Sequence, residues 1–366
     1  MAATPEYTWQ DVQNAIGQDF SDGQIRWFIE PLDWVAIRRF LEPLELDCPL
    51  YYSAEIARQH GYKDIPCPLS MLTNVGMFGI WKPGDPTRWP VAERNMTAQT
   101  DSDAAERPLH MPRTTAGFAT GREVEYLQPV YIGDLLGVRG NKLVSVGVRE
   151  TRVGHGAFMI WETEFLNQRH EVVALSRSGS YRYNPHPPGA RSASRDDPEA
   201  GRQPSKERTI PPARASYVDW SKQRSYEDVN VGDPVPPVTV HLTVQRLVIE
   251  AGANRAFAPI HHNTEVAQAQ GAPEMFANNG FMQAMWERTY REFIGLDGVV
   301  RKVGPFRIGI FNTPGESVVT TGVVKRKWQE KGENLVELEM WSENSKGVSV
   351  GPGPVLVTLP SKPRQR

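Results

Sequence analysis

Two hydrophobic patterns alternate along the chain, and they do so twice. Segments 123–146 (EVEYLQPVYIGDLLGVRGNKLVSV) and 156–183 (GAFMIWETEFLNQRHEVVALSRSGSYRY) carry alternating and β-branched runs broken by turn residues, which predicts strands. Segments 305–329 and 334–359 repeat that order, with a Pro/Gly turn leading into a strand, a second strand, and a polar turn into a third. Ahead of each strand block stands a helical segment. In the second half, 243–257 and 273–295 space their apolar residues for helices, and Phe276, Met282, Met285 and Trp286 fall near one face. A longer helix wrapped by an antiparallel sheet, written twice, is an α+β arrangement.

The repeat can be read residue by residue. CPLYYSAEIARQHG (48–61) and APIHHNTEVAQAQG (258–271) align without a gap at an offset of 210 residues, sharing Pro49/Pro259, Glu55/Glu265, Ala57/Ala267 and Gly61/Gly271. Tyr51 and Tyr52 stand where the later copy has His261 and His262. Between the copies, residues 184–215 are rich in proline, charge and small side chains, can bury little, and should form a linker. The expected organisation is an N-terminal unit over 1–183, a linker over 184–221 and a C-terminal unit over 222–366.

Charge and composition narrow the partners. With 41 Lys and Arg against 43 Asp and Glu there is no field to attract nucleic acid, so a small molecule is the expected partner. Two cysteines, Cys48 and Cys67, make no disulfide framework and suit a reducing cytoplasm, and no apolar run is long enough for a membrane span. Adjacent His261 and His262 lack a third ligand at a recognisable spacing, so no metal is expected, and glycine-rich phosphate loops are absent. The ten tryptophans, among them Trp27, Trp34, Trp81, Trp89, Trp161 and Trp286, should mostly be core.

The stretch YEDVNVGD…LTVQRLVIEAGANRAFAPIHHNTEVAQAQGAPE resembles the opening of a MaoC-like, R-specific enoyl-CoA hydratase domain, and PLYYSAEIARQHGY…REVEYLQPVYIGDLLGVRG resembles its partner, an N-terminal dehydratase-type domain. That resemblance implies a double hotdog fold, two long helices each gripped by a curved sheet. It also implies an acyl-CoA substrate, with CoA arriving as part of the substrate and no separate cofactor, and a homodimer is left open. One copy should keep the chemistry while the other is structural.

The family motif reads glycine, aspartate, any residue, asparagine, proline, any residue, histidine. Placed on this chain, its histidine is His261, but the asparagine and aspartate positions hold Ala258 and Ala256. The N-terminal copy offers Leu46, Cys48 and Tyr51 at the three places, so no spare dyad stands there. His261 is the expected proton-transfer group. Gly280 matches the place where the family brings an amide to the thioester carbonyl at a helix start, although Asn and Gly also suit a plain helix-start turn. Asn279 stands where a family histidine often stands, and Tyr51, Ala256, Ala258 and Asn278 are expected around the substrate. Glu265, with its twin Glu55 in the copy without the motif, reads as a surface or capping residue, and His262 as structural. Three functions follow in order: thioester hydrolysis of a bulky acyl-CoA, since the hydratase aspartate is missing; enoyl-CoA hydration or dehydration with displaced groups; and acyl-CoA binding without catalysis.

Overall fold

The computed structural model describes residues 7–73, 80–98, 109–151, 154–186 and 218–362. In the first half come helix α1 (Trp9–Asn14), strand β1 (Arg26–Trp27), helices α2 (Trp34–Leu41), α3 (Ala54–Gln59) and α4 (Leu69–Leu72), and long strands β2 (Ala116–Tyr126), β3 (Leu136–Thr151), β4 (Gly154–Asn167) and β5 (Val172–Pro185). The second half repeats the sequence as β6 (Pro234–His241), α5 (Val244–Ala253), α6 (Thr264–Ala269), α7 (Asn279–Ile294), β7 (Val299–Arg307), β8 (Ser317–Glu330), β9 (Glu333–Asn344) and β10 (Gly347–Thr358).

All ten strands join one sheet in the order β1-β3-β4-β5-β2-β7-β10-β9-β8-β6. Each half contributes the same five-strand order, mirrored about the antiparallel β2/β7 pair, in which Gly121 faces Arg307 and Val124 faces Val303. Close approach at this joint depends on glycine: a Cβ on Gly121 would stand 2.0 Å from the Phe306 carbonyl oxygen. The strands bury one face by simple alternation. In β9, Val336, Leu338, Met340, Ser342 and Asn344 are buried while the residues between them are partly exposed.

The 210-residue offset holds through the helical segment. A 3-10 turn spans Pro49–Tyr51 in one copy and Pro259–His261 in the other, α3 and α6 are capped by Ser53 and Asn263, and Gly61 and Gly271 both end their helices at positive φ. α4 and α7 also begin at matching positions, Leu69 and Asn279. Their lengths differ, and among the described residues one of the two expected long helices is seen. α7 runs for 16 residues and is buried on nearly every side, whereas α4 spans 4, and from Ile80 the chain continues without helix through Ala98. Residues 74–79 lie outside the described residues, as do 187–217, where most of the expected linker falls. β5 extends two residues into that expected linker.

The tryptophans also depart from expectation. Trp286 is fully buried, but Trp34, Trp81 and Trp89 are exposed, at 45%, 50% and 61%. Arg38 lies over the Trp34 ring, and the Trp81 indole N–H donates to the Asp85 carbonyl, so these rings serve local surface packing. Among the described residues no helix is long and apolar enough to cross a membrane.

Candidate active site

In the C-terminal copy, α5 ends at Asn254 and the chain reverses through Arg255, whose φ of 57° matches the 52° of its twin Glu45. The 3-10 turn that follows is fastened to the approach of α7: the Phe276 amide donates to the Ile260 carbonyl at 3.3 Å, and His261 Nδ1 lies 2.9 Å from the Phe276 carbonyl oxygen. A carbonyl only accepts, so Nδ1 carries the proton and Nε2 keeps its lone pair. Burial lowers the His261 pKa and favours the neutral ring, with the Phe276 carbonyl acting in the opposite sense and His262 adding a small lowering. The Phe276 ring stands edge-on to the imidazole and packs in turn on Phe311.

α7 begins with Asn278 as its N-cap, the Asn278 Oδ1 accepting from the Phe281 amide at 2.8 Å. The next two amides, of Asn279 and Gly280, donate to no protein group among the described residues. They sit at the positive end of a 16-residue helix dipole. Asn279 Oδ1 is buried and accepts no hydrogen bond.

The N-terminal copy shows what this geometry holds. Its matching amides do have a partner: Leu69 N donates to Glu287 Oε1 at 2.8 Å and Ser70 N to Glu287 Oε2 at 2.7 Å. The Ser70 hydroxyl donates to the same carboxylate, and the Tyr51 hydroxyl, from the position of His261, donates to Oε1 at 2.8 Å. Residue 51, amide 69 and amide 70 thus converge on one anionic group. By the 210-residue offset, His261 and the Asn279 and Gly280 amides occupy the positions of Tyr51 and the Leu69 and Ser70 amides.

Two of the residues expected around the substrate are buried and hydrogen-bonded within the protein. Tyr51 is 1% exposed and committed to Glu287, because its copy's site is already filled by a side chain of α7. Asn278 is 4% exposed and turned inward, its Nδ2 donating to Glu250 Oε2 at 2.6 Å. Ala256 is partly buried and Ala258 exposed, and both lie on the loop leading to His261. Glu265 is a surface residue, paired with Arg94 at 3.1 Å. His262 is exposed. An apolar cleft lies in the other half, walled by Phe28, Leu32, Ala36, Cys67, Met71 and Leu136, and includes none of the expected site residues.

Sequence reasoning missed Glu250, Asn254 and Glu287. A signal for all three was present at the offset already in use. Glu250, Asn254 and Asn278 answer Phe40, Leu44 and Pro68, so the copy with the histidine is polar where the other is apolar. Glu287 shows the same contrast, since its twin position is Met77.

Comparison with known proteins agrees with this architecture. Residues 15–176 match the family model of the FAS1-like dehydratase domain region. No curated protein matches the chain. Among solved structures, a MaoC-like dehydratase is 18% identical, with 93% of this chain and 98% of the other covered at a TM-score of 0.64. A putative MaoC domain protein dehydratase from Chloroflexus aurantiacus is 13% identical, covering 99% and 100% at a TM-score of 0.63. A conserved hypothetical protein from Mycobacterium tuberculosis, described as having a double hotdog fold, is 10% identical over 94% and 96% at 0.55. The chain has the double hotdog fold of the MaoC-like dehydratases, and its N-terminal half matches the FAS1-like dehydratase domain region.

Proposed function

We propose that the C-terminal copy adds water to, or removes it from, the α,β-position of an acyl-CoA thioester. The observation that carries this reading is the carboxylate of Glu287 in the N-terminal copy, held by two helix-start amides and the side chain of residue 51. The twin position, framed by His261 and the amides of Asn279 and Gly280, would take a thioester carbonyl whose oxygen gains negative charge as an enolate forms. Neutral His261, proton on Nδ1, would accept a proton from water at Nε2 as the oxygen bonds to the β-carbon. It would then return that proton to the α-carbon, and dehydration runs the same steps backwards. The names of the matched family model and of the similar structures, dehydratases, favour this chemistry over the hydrolysis ranked first from the sequence.

Hydrolysis remains the second reading, on one observation. Ala256 removes the motif's carboxylate, while the Asn279 and Gly280 amides could equally receive the oxyanion of a tetrahedral intermediate. Mass spectrometry of products from saturated and trans-2-enoyl-CoA substrates separates the two. A gain of one water on the enoyl substrates is the expected result. Free CoA with acid from both classes would replace hydration by hydrolysis, and unchanged substrates throughout would leave a binding protein.

A further inference from the structure

The C-terminal copy buries a carboxyl group that the reaction above does not use. Glu250 on α5 is 2% exposed, and the two side chains it meets, Asn254 and Asn278, are 2% and 4% exposed. The orientation of both amides is settled by the backbone. Asn254 Oδ1 accepts from the Ala256 N–H at 3.1 Å and Asn278 Oδ1 from the Phe281 N–H at 2.8 Å, and a backbone N–H only donates. Both NH2 groups therefore face Glu250: Asn278 Nδ2 donates to Oε2 at 2.6 Å and Asn254 Nδ2 to Oε1. Asn254 Nδ2 also lies 3.3 Å from Asn278 Oδ1, which closes the cluster.

Each Asn is thus a strut with one end on Glu250. The far end of one is the first amide of the loop that leads to His261; the far end of the other is the first turn of α7, one residue beyond Gly280. A single carboxyl couples the loop bearing the proton-transfer group to the helix bearing the oxyanion amides.

The fold itself does not require this polarity. The same three places in the N-terminal copy hold Phe40 and Leu44, 2% and 1% exposed, and buried Pro68, and the elements around them keep the same order. A buried carboxyl is costly unless its oxygens are satisfied, so the copy that retains it does so against an available hydrocarbon alternative. Burial raises the Glu250 pKa, while the Asn278 and Asn254 hydrogen bonds pull the other way.

We infer that Glu250, with Asn254 and Asn278, is a positioning residue of the active site, setting from α5 the spacing between His261 and the Asn279 and Gly280 amides. This rests on the hydration reading for its kinetic consequence but not for its geometry.

Two variants and two readouts test it. Glu250→Gln keeps size and puts an NH2 against one of two fixed NH2 groups, so one strut is lost. Glu250→Phe with Asn254→Leu and Asn278→Pro imports the apolar trio of the other copy. With a trans-2-enoyl-CoA, Glu250→Gln is expected to lower kcat by about 10- to 100-fold with KM within about threefold, since the loss falls on alignment in the transition state. The triple variant is expected to fold and to lose about 100-fold or more in kcat. Amide hydrogen exchange, which needs no turnover, should speed at Phe281 by about tenfold in Glu250→Gln. A Glu250→Gln enzyme with kcat within about threefold of the parent and unchanged exchange at Phe281 overturns the inference, as does a folded triple variant with parental kcat. If the parent turns over no enoyl-CoA, the hydration reading fails by itself, and exchange at Phe281 alone decides the network. If the triple variant does not fold, Glu250→Gln decides.

Discussion

At the scale of single residues, the proposed chemistry turns on His261. His261→Ala in a folded protein should lower kcat by about 10²- to 10⁴-fold, and a loss under threefold would remove it as the proton-transfer group. Its pKa is lowered, chiefly by burial, so the neutral ring persists to a lower pH than in an ordinary imidazole. The acid limb of kcat/KM should therefore fall below the usual 6.5, and a His261-dependent limb above that value would contradict the burial argument. The sign for stability follows from the same shift. Between the lowered folded pKa and the unfolded one, the unfolded chain binds more protons, so stability falls as pH drops through that window and is fully present above it. His261 was legible because the Pro-Ile-His stretch fixes its place. Glu250 was not, because a glutamate in an amphipathic helix ordinarily marks the solvent face, and only the contacts of Asn254 and Asn278 show it turned inward. Tyr51 was misplaced for a related reason: alignment gave its position but not the side chain that fills it.

At the scale of elements, the start of α7 decides whether the site is a site. Gly280 is at the second helical position, where proline can be accommodated and its missing N–H is the one proposed to meet the substrate. Gly280→Pro should lower kcat by about 10²- to 10³-fold, with circular dichroism confirming that the helix survives. Retained kcat in that variant would remove the amide from the mechanism. The start of α7 was visible in the Asn-Asn-Gly run, as were the strands in their alternation. The short α4 was not, because the sequence after Thr73 is still apolar enough to read as a helix. The element that packs against α4 is α7, which brings Glu287 to the amides at its start.

At the scale of the molecule, a continuous sheet and a buried carboxylate are among the ties that join the halves. At the β2/β7 joint, Gly121→Val should cost at least ~2 kcal/mol in denaturant unfolding, since its Cβ would meet the Phe306 carbonyl oxygen at 2.0 Å. Gly147→Ala on β3, where a Cβ meets nothing within 4 Å, should stay within ~0.5 kcal/mol and serves as control. The duplication and the α+β class could be read from the chain, because an ungapped repeat constrains both copies at once. The mirrored joining of the two sheets could not, because nothing in an alternating strand says which edge it will share. Glu287 adds a second tie. Glu287→Leu would leave the Leu69 and Ser70 amides and the Tyr51 hydroxyl unsatisfied in a dry interior, at about 3 kcal/mol or more, and an unchanged unfolding midpoint would show that water replaces it. The geometry proposed to receive a substrate oxygen in the C-terminal copy is, in the N-terminal copy, a socket for the neighbour's own Glu287. Gene duplication usually leaves a spare part free to drift. Here the matching place in the first copy serves as a latch, so under the proposed function a second active centre there would first require Glu287 to be released, and the asymmetry between the two copies resists reversal.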